Sequence, residues 1–328
     1  MANDSHHQNR TVTPNFERFS SSECTAWLTV LNIEAVAIVT MNALTIIIYL
    51  KERILRKRSM YLVISLAVAD MFVTYGLIES NLLLGNYCNV WTINILWSFE
   101  MSIFSSSLTN FFPAASVANL AAISLERMHA TFRPFKHRLI KKKIFGAAVA
   151  GVWFTAALST ALLFLPVLLG RSDTTFLSQA NASYFALLFS CLLIIVVSYT
   201  SIFTKVYCGT RPQHHGAIRG ERKLTKTLFI VTIVSLILVM PFTIFMFLFP
   251  VTSGEMGETI SHKTLLHLAL SLQCLFYGNS LINPLLYALK MPEVKRALFL
   301  LLRCRYRSEP VQLFPLNNLK VVRFHSVN

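Results

Sequence analysis

Residues 101–169 read MSIFSSSLTNFFPAASVANLAAISLERMHATFRPFKHRLIKKKIFGAAVAGVWFTAALSTALLFLPVLL. Two apolar runs, 101–126 and 144–169, flank a connection that carries Arg127, Arg133, Lys136, Arg138, Lys141, Lys142 and Lys143 and no carboxylate. Each run exceeds the roughly 20 residues a helix needs to cross a 30 Å hydrocarbon core. Inside such a core every backbone N–H and C=O must be satisfied within its own segment, so both runs are expected to be helices. The first is the less regular, because Asn110 and Pro113 interrupt it, and its start falls anywhere between 91 and 101.

Five more apolar runs lie at about 27–50, 60–84, 184–208, 226–250 and 264–289, making seven. The connections alternate in charge. Those after the first, third and fifth runs, with the C-terminal tail, hold twenty-six of the Lys and Arg residues, and the opposite set holds four. Basic loops stay in the cytoplasm, so the N-terminus is expected outside and the C-terminus inside, in the plasma membrane. A count of six would place basic loops on both faces. The expected fold is an all-α membrane protein, a seven-transmembrane helix bundle with a short amphipathic cytoplasmic helix. Its parts are an extracellular, disordered and glycosylated N-terminal segment at 1–26, the bundle at 27–289, a membrane-surface helix at 290–304 and a cytoplasmic tail at 305–328.

Composition agrees. Apolar residues make up 54% of the chain and charged ones 14%, where a soluble globule carries about a quarter charged residues. The net charge of +15 faces the anionic inner leaflet, which leaves nucleic acid without a basic face of its own. Residues 1–23 are polar and contain no apolar core, so the first span is expected to act as its own insertion signal. The six cysteines show no metal-ligand or redox spacing. Acceptor sequons for N-glycans begin at Asn3, Asn9 and Asn181, all on the expected outer side.

Few polar residues enter the spans, and a charge at mid-bilayer costs about 2.5–3.5 kcal/mol, so those present invite a function. Asp70 lies deep in the second span, Asn42 in the first, Ser116 in the third, and Asn279, Ser280 and Asn283 in the seventh. Taken singly, Asn42 or Ser116 reads as a packing hydrogen bond. Asp70 needs a cation or a proton. One carboxylate among neutral oxygens suits a hard monovalent ion.

The seventh span ends Asn283-Pro284-Leu285-Leu286-Tyr287 and the third ends Glu126-Arg127-Met128, with Pro134-Phe135 seven residues beyond the arginine. Trp153 and Pro241 mark the fourth and sixth spans. In this order the set resembles the landmarks of rhodopsin-class (class A) G protein-coupled receptors, over about 27–304. The resemblance implies an allosteric sodium pocket of Asp70, Ser116, Asn279, Ser280, Asn283 and Asn42, and no covalent cofactor. It implies a cytoplasmic switch of Glu126, Arg127, Pro134, Phe135, Tyr199, Glu221, Pro241, Pro284 and Tyr287. Arg127 would pair with Glu126 and with Glu221 in the closed state, and Tyr199 and Tyr287 would engage in the open one. Pro241 removes a backbone hydrogen bond and gives the sixth helix a hinge. The segment Lys290–Cys304 reads as an amphipathic helix on the inner leaflet, with Cys304 a palmitoylation candidate.

Three departures are informative. The family's usual cysteine at the outer end of span three is Ser102 here, and residues 170–183 hold none. Cys24 and Cys88 are then the cysteines on the outer side, where an oxidising compartment favours pairing them. The sixth span reads Leu238-Val239-Met240-Pro241 without the usual tryptophan, and Cys191 replaces the span-five proline. These losses are similar to those of the melanocortin, sphingolipid and cannabinoid branch.

For the ligand, Tyr277 occupies the position of the opsins' Schiff-base lysine, which argues against retinal, and Thr109 stands where amine receptors carry an aspartate. Glu79, Glu100, Thr109, His267 and Tyr277 are the candidate contacts. They favour a cationic small molecule or basic peptide, or equally serve as interfacial anchors. No nucleophile–base set appears within the spans, so no enzyme is expected. The expected function is a G protein-coupled receptor that activates a heterotrimeric G protein when helix six moves outward, with membrane lipid as its other partner. The alternative is a transporter or channel using Asp70 as an ion site, disfavoured by the odd span count and the absence of inverted repeats.

Overall fold

The structure is a computed structural model that describes residues 18–51, 60–92, 99–170, 174–208, 233–248 and 261–290, with residues 295, 296 and 299. Its helices are α1 (Ser21–Lys51), α2 (Met60–Tyr87), α3 (Phe99–Phe132), α4 (Pro134–Leu139), α5 (Lys142–Leu168), α6 (Thr174–Cys208), α7 (Ile233–Leu248) and α8 (His262–Lys290). No strand occurs among the described residues. Six helices are long and apolar enough to cross a membrane. The seventh, α7, is described over 16 of the 25 residues of its apolar run.

The helix boundaries follow local chemistry. Ser20-Ser21-Ser22-Glu23 forms a capping box: the Ser20 amide donates to Glu23 Oε2 at 2.7 Å and the Glu23 amide to Ser20 Oγ at 3.3 Å. α1 therefore starts six residues before the apolar run, and Phe19 just ahead of it is buried. Residues 18–26 are thus ordered, which corrects the disordered segment expected for 1–26 over that stretch. α3 begins at Phe99, inside the range left open above. Pro134 at the first position of α4 costs no hydrogen bond there. Gly170, at φ 63°, closes α5 in the left-handed conformation that suits glycine.

α3 runs through the middle, packed against α2, α5 and α6, while α1 lies on α2 and α8. The small residues Ala114, Ala115, Ala118 and Ala121 of α3 let Val152 and Ala156 of α5 and Leu188, Leu192 and Ile195 of α6 pack closely. Trp153 Nε1 donates to Ser65 Oγ at 3.0 Å, tying α5 to α2. Pro113 leaves α3 one amide short, and the Tyr184 hydroxyl of α6 donates to the nearby Asn110 carbonyl at 2.9 Å. Ile33, Val36, Phe154, Leu193 and Ile237 face outward, while Asn42, Asp70, Asn119 and Asn283 are buried. A polar interior with an apolar exterior is the arrangement for a lipid solvent.

At one end the helices are joined covalently. Cys24 of α1 and Cys88 beyond α2 form the expected disulfide, with Cα atoms 6.1 Å apart. Around it, Trp27 Nε1 donates to His267 Nδ1 at 2.9 Å, Glu23 contacts Lys263 at 3.0 Å and His267 at 3.3 Å, and Phe19 stacks on the His267 ring. This clasp binds α1 and α2 to the start of α8. A bridge closing 64 residues is worth about 4 kcal/mol in chain entropy, an upper bound when both helices stay inserted on unfolding. Cys24→Ser is expected to lower the thermal midpoint of the purified protein by several degrees, at most about 10 °C. A midpoint equal to wild type would show that the bridge adds no stability.

Candidate functional site

Asp70 is fully buried in α2, and three neighbours point hydrogens at it. Ser116 Oγ of α3 and Ser280 Oγ of α8 donate to its Oδ1 at 2.6 and 2.9 Å, and Asn283 Nδ2 donates to Oδ2 at 3.2 Å. Asn42 completes the arrangement from α1, with its Nδ2 donating to the Ser280 carbonyl at 3.1 Å. Ser116 and Ser280 also line a cavity of about 10 Å³ with Asn279, Val73, Pro113, Val117, Val239 and Phe276. Asn279 Oδ1 and Asn283 Oδ1 are buried without a hydrogen-bond partner among the described residues. Asp70 and the two unpartnered amide oxygens offer only oxygen donors. That set fits a hard monovalent cation such as sodium.

Toward the far end of α3, Glu126 is nearly buried and faces Arg127 and His137. Its Oε2 lies 3.0 Å from Arg127 Nε, and its Oε1 lies 2.8 Å from His137 Nε2 in α4. Motif reading had no place for His137. The His129 ring stands 5.8 Å from that of His137, and His129 Nδ1 is buried without a hydrogen-bond partner among the described residues. Lys205 of α6 donates to the Thr131 carbonyl at 2.6 Å and sits 4.4 Å over the Phe132 ring, holding α6 to the end of α3. Phe135 projects outward, 82% exposed, and Tyr199 is buried in the α3–α6 core. Pro241 lies within α7 and Pro284 within α8, each interrupting its helix's amide ladder. Tyr287 lies on α8, though its side chain, like Glu221 and Cys304, falls outside the described residues.

Nearer the disulfide end a second polar cluster forms on Glu79. Ser105 Oγ donates to its Oε1 at 2.7 Å and Thr109 Oγ1 to its Oε2, while the Tyr75 hydroxyl meets Ser105 at 3.1 Å. Tyr277 lies across Gly76 so closely that a Cβ there would stand 2.1 Å from its hydroxyl oxygen, and only glycine admits it. Gln273 Nε2 donates to Ser80 Oγ at 2.6 Å. Of the candidate contacts, Glu79, Thr109 and Tyr277 therefore converge. His267 does not join them, because Trp27, Glu23 and Phe19 engage it in the clasp. The Glu100 side chain falls outside the described residues, as do Asn3 and Asn9. Asn181 lies within α6, which begins at Thr174, ahead of the apolar run.

A family model described as 7 transmembrane receptor (rhodopsin family) matches residues 41–287. The substance-K receptor of Canis lupus familiaris is 25% identical over 300 residues, covering 85% of this chain and 75% of its own. The QRFP-like peptide receptor of Branchiostoma floridae is 23% identical, covering 84% of this chain and 77% of its own. The histamine H2 receptor of Canis lupus familiaris is 26% identical, covering 80% and 75%. These three are named for peptide and amine ligands, and none carries a melanocortin, sphingolipid or cannabinoid name.

Proposed function

This chain belongs to the rhodopsin family of seven-transmembrane receptors, and from that premise we propose that it is a G protein-coupled receptor for an extracellular cationic ligand, switched at Arg127. The observation that carries this reading is the buried Glu126 carboxylate held between Arg127 and His137, on the same helix as the Ser116 that binds Asp70. An acid so enclosed restrains Arg127 until the helices around it move.

The alternation of basic loops supports an extracellular N-terminus and a cytoplasmic Arg127 end. An agonist favours a pre-existing open state, in which α7 swings about Pro241, Arg127 parts from Glu126, and Tyr199 and Tyr287 fill the gap. The cleft so opened admits the G protein, with exposed Phe135 as a contact. By linkage, G protein raises agonist affinity. Glu221 adds a second carboxylate to the closed state. Asp70, Ser116, Asn279, Ser280 and Asn283 would hold sodium, which supplies a compensating charge for Asp70, and Asn42 positions Ser280. Asn3 and Asn9 carry the glycans, and Cys304 a palmitoyl chain.

Glu79 supports a cationic ligand, because it places a carboxylate with flanking hydroxyls between α2 and α3. The peptide and amine names of the relatives accord with that chemistry. The test is a panel of amines and basic peptides applied to cells expressing the full chain, read as nucleotide exchange on co-expressed G protein. A response lost in Glu79→Gln is expected. Exchange elicited only by anionic or neutral lipids would remove the cationic assignment, and ligand-independent ionic current carried by the chain would favour the transporter reading.

A further inference from the structure

The clasp at the disulfide end holds a histidine whose protonation state its neighbours dictate. Trp27 Nε1 donates to His267 Nδ1 at 2.9 Å. An indole nitrogen can only donate, so Nδ1 must present its lone pair, and the ring's proton sits on Nε2. There Glu23 Oε1 lies 3.3 Å away and accepts it. The ring is therefore neutral, and in one tautomer, for as long as the Trp27 bond stands. Phe19 lies against the ring at 4.4 Å between centroids, with Tyr87 of α2 edge-on to Phe19. Lys263, one turn earlier on α8, is 3.0 Å from the second oxygen of Glu23. Arg18, beside Phe19, and His262, beside Lys263, are exposed. The His267 and Glu23 side chains are themselves 33% and 30% exposed, so protons reach them from solvent.

We propose that His267 makes this clasp a proton-operated catch between α1 and α8. The neutral ring holds Trp27. A second proton, taken on Nδ1, sets two N–H donors against each other and releases the indole. The same proton turns the ring into a cation beside the Glu23 carboxylate, so α8 keeps its contact with Glu23 in charge-assisted form. Acid thus exchanges one attachment of α8 for another, and the disulfide goes on joining α1 to α2. Because the Trp27 bond and a proton on Nδ1 exclude each other, bound protons favour the released state and alkaline medium the clasped one. Histidine suits this role, since its charge ordinarily changes between pH 5 and 8. Further along α8 stand Tyr277, over Gly76, and Ser280, on Asp70. Freeing the start of this helix therefore bears on both polar clusters. With the orientation proposed above the protons are extracellular, and the catch works whether or not a G protein is coupled.

The full-length receptor in detergent micelles, its four tryptophans labelled with nitrogen-15, is titrated by NMR from about pH 8 to about pH 5. The Trp27 indole signal is the one missing from Trp27→Phe. In wild type it is expected to move away from its hydrogen-bonded position in a single one-proton transition as pH falls. His267→Gln should lose that transition entirely, because the glutamine oxygen can accept from Trp27 and does not titrate. Should this variant fail to fold, histidine-labelled wild type supplies the same decision. One imidazole must pass from the Nε2–H form to the doubly protonated form at the midpoint of the Trp27 transition. A Trp27 signal unmoved across the range would overturn the proposal, as would an undiminished shift in His267→Gln. Finding that imidazole in the Nδ1–H form at the alkaline end would do the same, because Nδ1 could not then be accepting from Trp27.

Discussion

Arg127→Ala is expected to abolish agonist-driven nucleotide exchange while leaving the receptor at the cell surface. The side chain is 29% exposed and pairs with its immediate neighbour, so its removal opens no cavity in the core. Glu126 keeps a partner, because His137 still lies 2.8 Å from its other oxygen. The fold therefore tolerates the loss, and the effect falls on the state in which Arg127 would have left Glu126 for the open cleft. Surface immunolabelling paired with exchange on purified G protein separates the two quantities. Full coupling by the alanine variant at normal expression would end the assignment of Arg127 as the switch.

Asp70→Asn should abolish the dependence of agonist affinity on sodium. In wild type, replacing potassium by sodium at constant ionic strength is expected to weaken agonist binding severalfold, because sodium would stabilise the closed bundle and the agonist the open one. Asparagine has nearly the same shape and still accepts from Ser116 and Ser280. Its amide nitrogen then confronts Asn283 Nδ2, a donor facing a donor, at a cost of about 1 kcal/mol. The protein should fold, and its agonist binding should be equal in both salts. A sodium effect of undiminished size in this variant would remove the cation from Asp70. Asp70→Leu is the contrasting case: it strands three buried donors at about 1–3 kcal/mol each, and lost expression is the expected result.

Seven spans were legible because hydropathy and loop charge are both one-dimensional signals. Ser116, Ser280 and Asn283 could be assigned to Asp70 from motif positions, since regular helices carry fixed offsets into fixed directions. The start of α1 was not found, although Ser20-Ser21-Ser22-Glu23 announces it. Bilayer thickness bounds the apolar run, whereas a capped helix protrudes past it. His137 was missed for a different reason. It meets Glu126 only because the chain reverses at Arg133 and α4 restarts at Pro134, and no periodicity crosses that turn. His267 was grouped with Glu79 because α8 is apolar around much of its circumference, so its rotation is set by Trp27 and Glu23 and not by its own pattern.

The clasp of Cys24, Cys88, Glu23, Trp27 and His267 gives the receptor a mechanical asymmetry. On one side of the disulfide end, α1, α2 and α8 are stapled together. On the other, no disulfide joins α5, α6 and α7 among the described residues. Spectroscopic labels placed on the disulfide-end turns of α1 and α2 should hold one distance in every ligand state, giving a ruler carried by the protein. Displacement of α7 can then be measured against it directly.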